Sequence, residues 1–336
     1  MNVRKNFNIK EFNTFGIDVN ARLFAEAYTV DELILLFKEY GDIPKLILGG
    51  GSNVLFTGDF NGLIIRNKIN GIEVIEETEE YVLVQAGAGV VWDDLVNFTV
   101  EKNYGGIENL TFIPGSAGAS PIQNIGAYGV EIKDVFYKLE GFNTGDGSLK
   151  TFFKDECRFG YRDSIFKREL KDKFVIASVT YRLSKNPLVN LKYDVLKNEF
   201  LNTSSASVTI KDISKAVKRI RQSRLPDPSV LGNAGSFFKN PEITSEHYWF
   251  LSTMYNEVPG FEKDNDTVKI PAGWLIQKCG WKGKRIGRAG CYEKQALVLV
   301  NYGGASGSDL LGLADQIKLS VKDRFRIELE TEVNVI

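Results

Sequence analysis

The sequence predicts an α+β protein, with an α/β opening and a smaller helix-and-strand unit beyond a proline-marked stop. Three observations carry this. The first hundred residues alternate helix-spaced and strand-like apolar segments around Gly-rich turns. A strand-like run at 174–183 and a helical pattern at 212–223 lead to Leu225-Pro226-Asp227-Pro228, which marks a domain boundary. The remainder carries one clear strand, 296–301, and one amphipathic helix, 310–321. With 336 residues, 43% of them hydrophobic, the chain has length for two or three domains and a substantial core.

Each element follows from its residues. Residues 28–40 place Leu33, Leu36, Phe37 and Tyr40 on one helical face, with Thr29 and Glu32 spaced for a capping box. The run at 45–48 enters Gly49-Gly50-Gly51-Ser52-Asn53 and leaves through Val54-Leu55-Phe56 and then Leu63-Ile64-Ile65, which predicts strand, tight loop, strand. Residues 81–86 form another strand, and 92–99 gather Trp92, Leu95 and Val96 as a short helix. Residues 111–129 hold no regular period, and an unpatterned connection of that length in a compact domain is functional or disordered. Its interleaved Phe112, Ile113, Ile122, Ile125 and Tyr128 favour an ordered, functional loop. Asp212 is placed as N-cap of the helix carrying Ile213, Ala216, Val217 and Ile220. Residues 248–255 belong to the second unit, and Ser306 or Ser308 caps the helix whose stripe is Leu310, Leu313, Ala314, Ile317 and Val321. The tail, 326–336, alternates Ile327, Leu329, Val333 and Val335 as a strand.

Composition excludes several functions. Lys and Arg total 42 against 43 Asp and Glu, a net charge of −1, so no broad basic face grips a phosphate backbone and no nucleic-acid partner is expected. Cys157, Cys279 and Cys291 form no CxxC pair, which argues against a disulfide framework or zinc ribbon and for a reducing compartment. The first residues lack an apolar leader core and no apolar run is long enough to span a bilayer, so a cytoplasmic protein without a membrane partner is expected. The single histidine, His247, leaves metal sites and His-based triads unsupported.

Chemistry concentrates in a few segments. The glycines of 49–53 admit positive φ and close backbone approach, as a pyrophosphate cradle requires, although the pattern is neither GxGxxG before a helix nor GxxxxGK[ST]. A bare turn would look the same. A second segment, Pro114-Gly115-Ser116-Ala117-Gly118-Ala119, shifts the balance, because two cradles suit a dinucleotide cofactor. Residues 157–164 pack Arg158, Tyr161, Arg162 and Asp163 together, either as an arginine site for a carboxylate or developing enolate, or as a surface pair of Asp163 with Arg158 or Arg162. Ser236, in Gly235-Ser236-Phe237-Phe238, is a candidate proton donor or a plain turn serine; Glu328, Glu330 and Glu332 share one face of the tail, solvated or facing a pocket.

The ordered segments resemble the UDP-N-acetylenolpyruvoylglucosamine reductase family, the flavoenzymes that complete the muramic acid precursor of peptidoglycan. The resemblance spans nearly the whole chain. It rests on Asn13-Thr14-Phe15-Gly16, 48–53, 113–129, 157–164, 225–228, 232–241, 272–276, 295–298 and 330–333. It implies an FAD-binding fold of the vanillyl-alcohol-oxidase type, with lobes at 1–72 plus 326–336 and at 73–224, and an α+β substrate-binding domain at 225–325. It further implies tightly bound, non-covalent FAD, reduction by NADPH, and a ping-pong cycle acting on a small-molecule UDP-sugar; a monomer is the default expectation. By motif position Gly49, Gly50, Gly51, Ser52, Asn53, Pro114, Gly115, Ser116, Gly118 and Ala119 would bind the cofactor. Ser236, Arg162 and Glu332 would be catalytic, while Tyr193, Arg224, Asn240 and Gln295 would bind substrate, Tyr193 as a mobile residue closing over the diphosphate. Glu330-Thr331-Glu332 stands where relatives often carry proline between the acids, so the choice between Glu332 and Glu330 rests on position alone. The competing readings are another FAD-dependent oxidoreductase of this fold, such as an alcohol or sugar oxidase, and a non-catalytic nucleotide-binding protein.

Overall fold

A computed structural model describes residues 2–201, 207–264 and 266–336. The chain forms two compact units: 1–7, 21–50 and 61–223 make the first, and 8–20, 51–60 and 224–336 the second.

In the first unit, helix α1 (Val30–Glu39) buries Leu33 and Leu36 against Ala25, Leu63 and Ile65 of a four-stranded sheet that includes Lys45–Leu48 parallel to Phe60–Asn67. Thr29 caps α1 by accepting Glu32 N at 3.2 Å, and the Glu32 carboxylate reaches back to Tyr28 N, one residue further than in a standard capping box. The larger sheet is antiparallel, ordered Leu149–Phe153, Phe136–Asn143, Phe174–Ser184, Tyr81–Gly87, Ile72–Glu77. Its central strand, Phe174–Ser184, is buried at Val175, Ile176, Ala177, Val179, Tyr181 and Leu183, which is why that run is almost unbroken in apolar character. Helix α2 (Trp92–Glu101) buries Trp92, Leu95 and Val96, and Trp92 Nε1 donates to Leu110 O at 2.9 Å.

The segment 111–129 is ordered by backbone bonds rather than periodicity, with one turn of 3₁₀ helix at Ala117–Ala119 and a short pairing of Gly126–Ala127 with Val130–Glu131. The short helix α3 (Asp194–Asn198) follows Tyr193, and α4 (Ile210–Arg224) buries Ile213, Ala216, Val217 and Ile220. Asp212 is not the N-cap of α4 but lies in its first turn. Thr209 Oγ1 accepts Asp212 N, and Asp212 Oδ2 accepts Thr209 N at 3.0 Å, a reciprocal box that favours the earlier residue as cap.

Just before residue 111, Glu108 is buried, 3% exposed, and Gly106 N donates to its Oε2 at 2.6 Å. Burial raises its carboxyl pKa above the ordinary 4.5, with backbone N–H groups pulling the other way. An acid raised in the folded state favours folding when protonated, so its contribution is fully present below the unfolded pKa and is lost as pH rises through the folded one. Glu108→Gln, neutral throughout, should therefore melt higher than wild type at pH 8 and lose that advantage towards pH 4. An advantage that grows on acidification would contradict this reading.

In the second unit, Gly232–Ser236, Val298–Asn301, Ala289–Cys291 and Arg285–Ile286 form a four-stranded sheet. Below it lie α6 (Ala272–Lys278), numbered after α5 (Ser245–Met254), and α7 (Gly307–Phe325). Of the two serines considered, Ser306 is the α7 cap: its Oγ accepts Asp309 N, and Asp309 returns a bond to Ser306 N. The tail is strand only in part. Asn334–Val335 pairs in parallel with Val54–Leu55, whereas 327–330 keeps the in-out alternation of Ile327 and Leu329 without ladder pairing. Alternation reports burial on one side, and a strand also needs a neighbour offering hydrogen bonds along its length. A three-stranded sheet of Glu242–Thr244, Thr267–Lys269 and Phe261–Asp264 has no counterpart in the sequence reading.

Candidate active site

In the first unit, the two Gly-rich segments lie against each other. A Cβ built on Gly50 would stand 3.1 Å from Gly115 Cα, and one on Gly49 would stand 2.5 Å from Ser116 Oγ. The second segment is pinned from behind. Trp92 N donates to Gly115 O at 3.0 Å, Ala117 N to Val90 O at 2.9 Å and Gly118 N to Ala88 O at 3.0 Å. The fully buried Tyr181 hydroxyl sits 2.8 Å from Ser120 Oγ and 3.3 Å from Ala117 O. Burial drives the Tyr181 pKa strongly upward, so it stays a neutral anchor. Two Gly-rich backbone loops in close approach, with the small Ser116 side chain between them, suit a pyrophosphate. At Gly118 a Cβ would meet Ala88 Cβ at 2.5 Å and Ala88 Cα at 2.9 Å. Gly118→Ala should cost about 1–3 kcal/mol of stability and lower the flavin content of purified protein. Unchanged Tm with full flavin occupancy would contradict the cradle.

Arg162 lies in the same unit on a turn closed by Gly160 N to Asp163 O at 3.0 Å, with its own φ at +53°, a strained value for a non-glycine residue. Its Nη2 donates to Gly126 O at 2.6 Å. The turn is clamped by residues from the irregular segment: Asn124 Nδ2 donates to Gly160 O at 2.9 Å, and the buried Ser164 Oγ to Ile122 O at 2.6 Å. Neither surface pair considered for Asp163 forms. Asp163 pairs with Arg168 at 3.0 Å and Arg158 with Glu169 at 3.3 Å.

Sequence reasoning missed Arg221. This half-buried arginine of α4 donates through Nε to Phe112 O at 3.0 Å. Burial lowers its pKa; Tyr128 and Asp93 oppose that, and nearby Arg162 adds to it. Two guanidinium groups close enough to repel make an anion-seeking corner. The available signal was that Arg221 follows Val217 by four residues, on the flank of the buried face of α4. Tyr193 precedes α3, exposed, with its ring edge-on to Tyr128 at 5.5 Å between centroids.

In the second unit, Ser236 ends the strand Gly232–Ser236 at a bulge, where the pairing with Val298–Asn301 shifts between Asn233 and Ser236. Gly235 takes φ +67°, and its N–H is held by Asn233 Oδ1 at 2.9 Å. Asn233 is itself fixed, its Nδ2 donating to Pro226 O and Leu231 O and its N to Thr14 O. Bulges re-aim a side chain, and this one governs where Ser236 points. Residues 13–16 support it: Asn13 is buried with bonds to Ile9 O and Ile17 O, and Phe15 O accepts Asn301 Nδ2 at 2.9 Å. The tail runs alongside, Glu332 N donating to Phe237 O at 2.9 Å and Lys239 N to Glu330 O at 2.9 Å, so Glu332 lies one step along from Ser236 on the adjacent segment.

Glu330 is exposed and forms an ion pair with Lys239. Asn240 Oδ1 accepts Ala272 N at 2.9 Å, and Gln295 Oε1, which accepts Leu297 N at 3.3 Å, lies by Gly273, where a Cβ would come within 3.0 Å of it. Both amides thus stand at the start of α6 with their oxygens accepting backbone N–H groups. Gly51 packs on Phe12 and Asn13, Asn53 O accepts Asn334 N at 3.1 Å, and Arg224 is exposed at the end of α4. Burial pushes the Cys157 and Cys291 thiols up to about 12, which leaves them inert. His247 Nε2 lies 2.9 Å from Phe325 O, a packing role. Among the described residues, no cluster of side chains suits a metal ion, and no helix is long and apolar enough to cross a membrane.

Residues 21–152 match an FAD binding domain, and 227–336 match the C-terminal domain of UDP-N-acetylenolpyruvoylglucosamine reductase. The first match takes in Gly49, Gly50 and 114–119, the cradle built above, so the class is that of an FAD-dependent oxidoreductase. Over 337 aligned residues, covering 100% of both chains, the protein is 46% identical to UDP-N-acetylenolpyruvoylglucosamine reductase of Flavobacterium johnsoniae. It is 45% identical to that of Bacteroides fragilis over 99% of this chain and 100% of the relative. The crystal structure of the Thermus caldophilus reductase shares the fold, with a TM-score of 0.68 at 24% identity over 100% of this chain and 99% of that one. The chain belongs to the UDP-N-acetylenolpyruvoylglucosamine reductase family. The α+β class and FAD-binding fold expected from the sequence are those found.

Proposed function

We infer that the protein reduces the enolpyruvyl ether of UDP-N-acetylglucosamine enolpyruvate to UDP-N-acetylmuramate, with FAD as cofactor and NADPH as reductant, in peptidoglycan precursor synthesis. The observation that carries this is full-length identity of 46% to a reductase of that name. When bound, FAD would supply the hydride-transfer chemistry that links NADPH to the enolpyruvyl group, and residues 49–53 and 114–119 would hold it.

The chain's own residues do the rest. Negative charge develops on the carboxylate side of the substrate as hydride arrives. Arg162, whose Nη2 donates to Gly126 O, supplies the positive charge that stabilises it, and Arg162 and Glu332 together polarise the substrate carboxylate. Ser236 gives its hydroxyl proton to the adjacent carbon. A hydroxyl is a weak acid, so the transfer requires a strongly basic carbanionic acceptor, which the enolate provides. Glu332 lies beside Phe237, its N–H donating to Phe237 O, which supports it over Glu330 as the working carboxylate. Tyr193, Arg224, Asn240 and Gln295 hold the diphosphate.

The reading divides the chain into FAD lobes at 1–72 with 326–336 and at 73–224, and a substrate lobe at 225–325; the pairing of Asn334–Val335 with Val54–Leu55 supports returning the tail to the early chain. It places the enzyme in the cytoplasm as a monomer with small-molecule partners, without nucleic acid or membrane. The test is stoichiometry: one NADPH consumed per UDP-N-acetylmuramate formed, with little oxygen uptake. NADPH oxidation that follows oxygen and ignores the sugar nucleotide would overturn it in favour of an oxidase.

A further inference from the structure

One side-chain amide ties down the loop that carries Tyr193. Asn109, in the one-turn helix Glu108–Leu110, is fully buried, and its Nδ2 donates to Tyr128 O at 2.9 Å and Asn190 O at 3.1 Å. Asn190 completes the tie. Its Nδ2 donates to Gly129 O at 3.1 Å, and its Oδ1 accepts Lys192 N at 3.1 Å, immediately before Tyr193. The Tyr193 ring then rests edge-on against Tyr128, the same residue whose carbonyl Asn109 holds. Asn109 Oδ1, by contrast, has no hydrogen-bond partner among the described residues. A buried acceptor left unmet costs stability, and an apolar residue of similar size would avoid that cost. What asparagine supplies in return is two donors that join carbonyls 19 and 81 residues away in the chain.

We propose that Asn109 and Asn190 form a latch that holds the Tyr193 loop against Tyr128 and so sets how readily Tyr193 engages the substrate diphosphate. The proposal rests on the diphosphate role of Tyr193 given above. Both asparagines are positioning residues, acting through the loop. Their effect falls on sugar-nucleotide binding and leaves reduction of the flavin by NADPH alone.

The test uses the full-length holoenzyme with Asn190→Ala, on a half-buried loop position, and Asn109→Asp, which replaces the bridging donor by an acceptor. Each should raise KM for the enolpyruvyl sugar nucleotide roughly tenfold, the order expected for loss of one or two hydrogen bonds. The NADPH-driven bleaching rate should be unchanged, and trypsin should cut faster at Lys192 and Lys197. In a Tyr193→Ala background, Asn190→Ala should raise KM no further. Wild-type KM in both asparagine variants, or an equal rise in the KM for NADPH, overturns the latch. If Asn109→Asp purifies without flavin, Asn190→Ala alone decides. If Tyr193→Ala leaves KM unchanged, the Tyr193 reading fails and the latch loses its kinetic role, while the trypsin result still reports whether the asparagines hold the loop.

Discussion

Ser236→Ala should purify yellow, bleach with NADPH at the wild-type rate, and form product slower by roughly two to four orders of magnitude, the usual contribution of a placed general acid. The separation follows from the site. Reduction of the flavin by NADPH requires no proton from Ser236, whereas saturating the enolpyruvyl group leaves a carbanionic carbon that must take one. The substitution removes one oxygen from a residue whose backbone is fixed by the bulge and by Asn233, so the strand and the cradle are left in place. Stopped-flow absorbance during each half-reaction checks it. Equal loss of both half-reactions would show that Ser236 supports the fold or the flavin and is not the proton donor. Ser236→Cys, with a more acidic group at the same position, should recover part of the rate.

Arg162→Met should lower kcat for product formation by about a hundred- to a thousandfold, the range measured when one preorganised donor to a developing anion is removed. Arg162→Lys should recover only part of it, because a point charge does not reproduce the planar two-pronged donor. The argument begins with the backbone. Arg162 sits at φ +53°, on a turn gripped by Asn124 and Ser164, which are themselves set by the irregular segment 111–129. Strain of that kind is held in place only when surrounding bonds over-determine it. A free-standing surface arginine would lose little on substitution. Loss of less than about threefold in kcat would assign Arg162 to holding Gly126 and move charge stabilisation to Arg221.

Much of this was legible in the chain. The helices at 30–39, 92–101, 210–224 and 307–325 announce themselves by buried stripes, because each packs one apolar face inward, 210–224 against Leu196 and Val208. The two Gly-rich segments were legible because the backbones approach closely where Gly50 meets Gly115, leaving little room for a side chain. Other features escaped for physical reasons. The cap of α4 is decided by a reciprocal bond between Thr209 and Asp212, and both residues are good caps in isolation. The tail alternates in burial although only part of it finds ladder partners. Fixing Arg162 takes contacts from residues about forty positions earlier, and the partners of Asp163 and Arg158 lie just downstream among several equivalent charges. The Arg221 guanidinium is buried against Phe112 by what α4 packs against, and no local spacing records that.

The most direct measurement of the central claim is anaerobic. Purified holoenzyme is mixed with NADPH until its visible flavin spectrum bleaches, and the enolpyruvyl sugar nucleotide is then added without oxygen. The account predicts full return of the oxidised spectrum together with one equivalent of UDP-N-acetylmuramate per flavin. A spectrum that stays bleached until oxygen is admitted would contradict it.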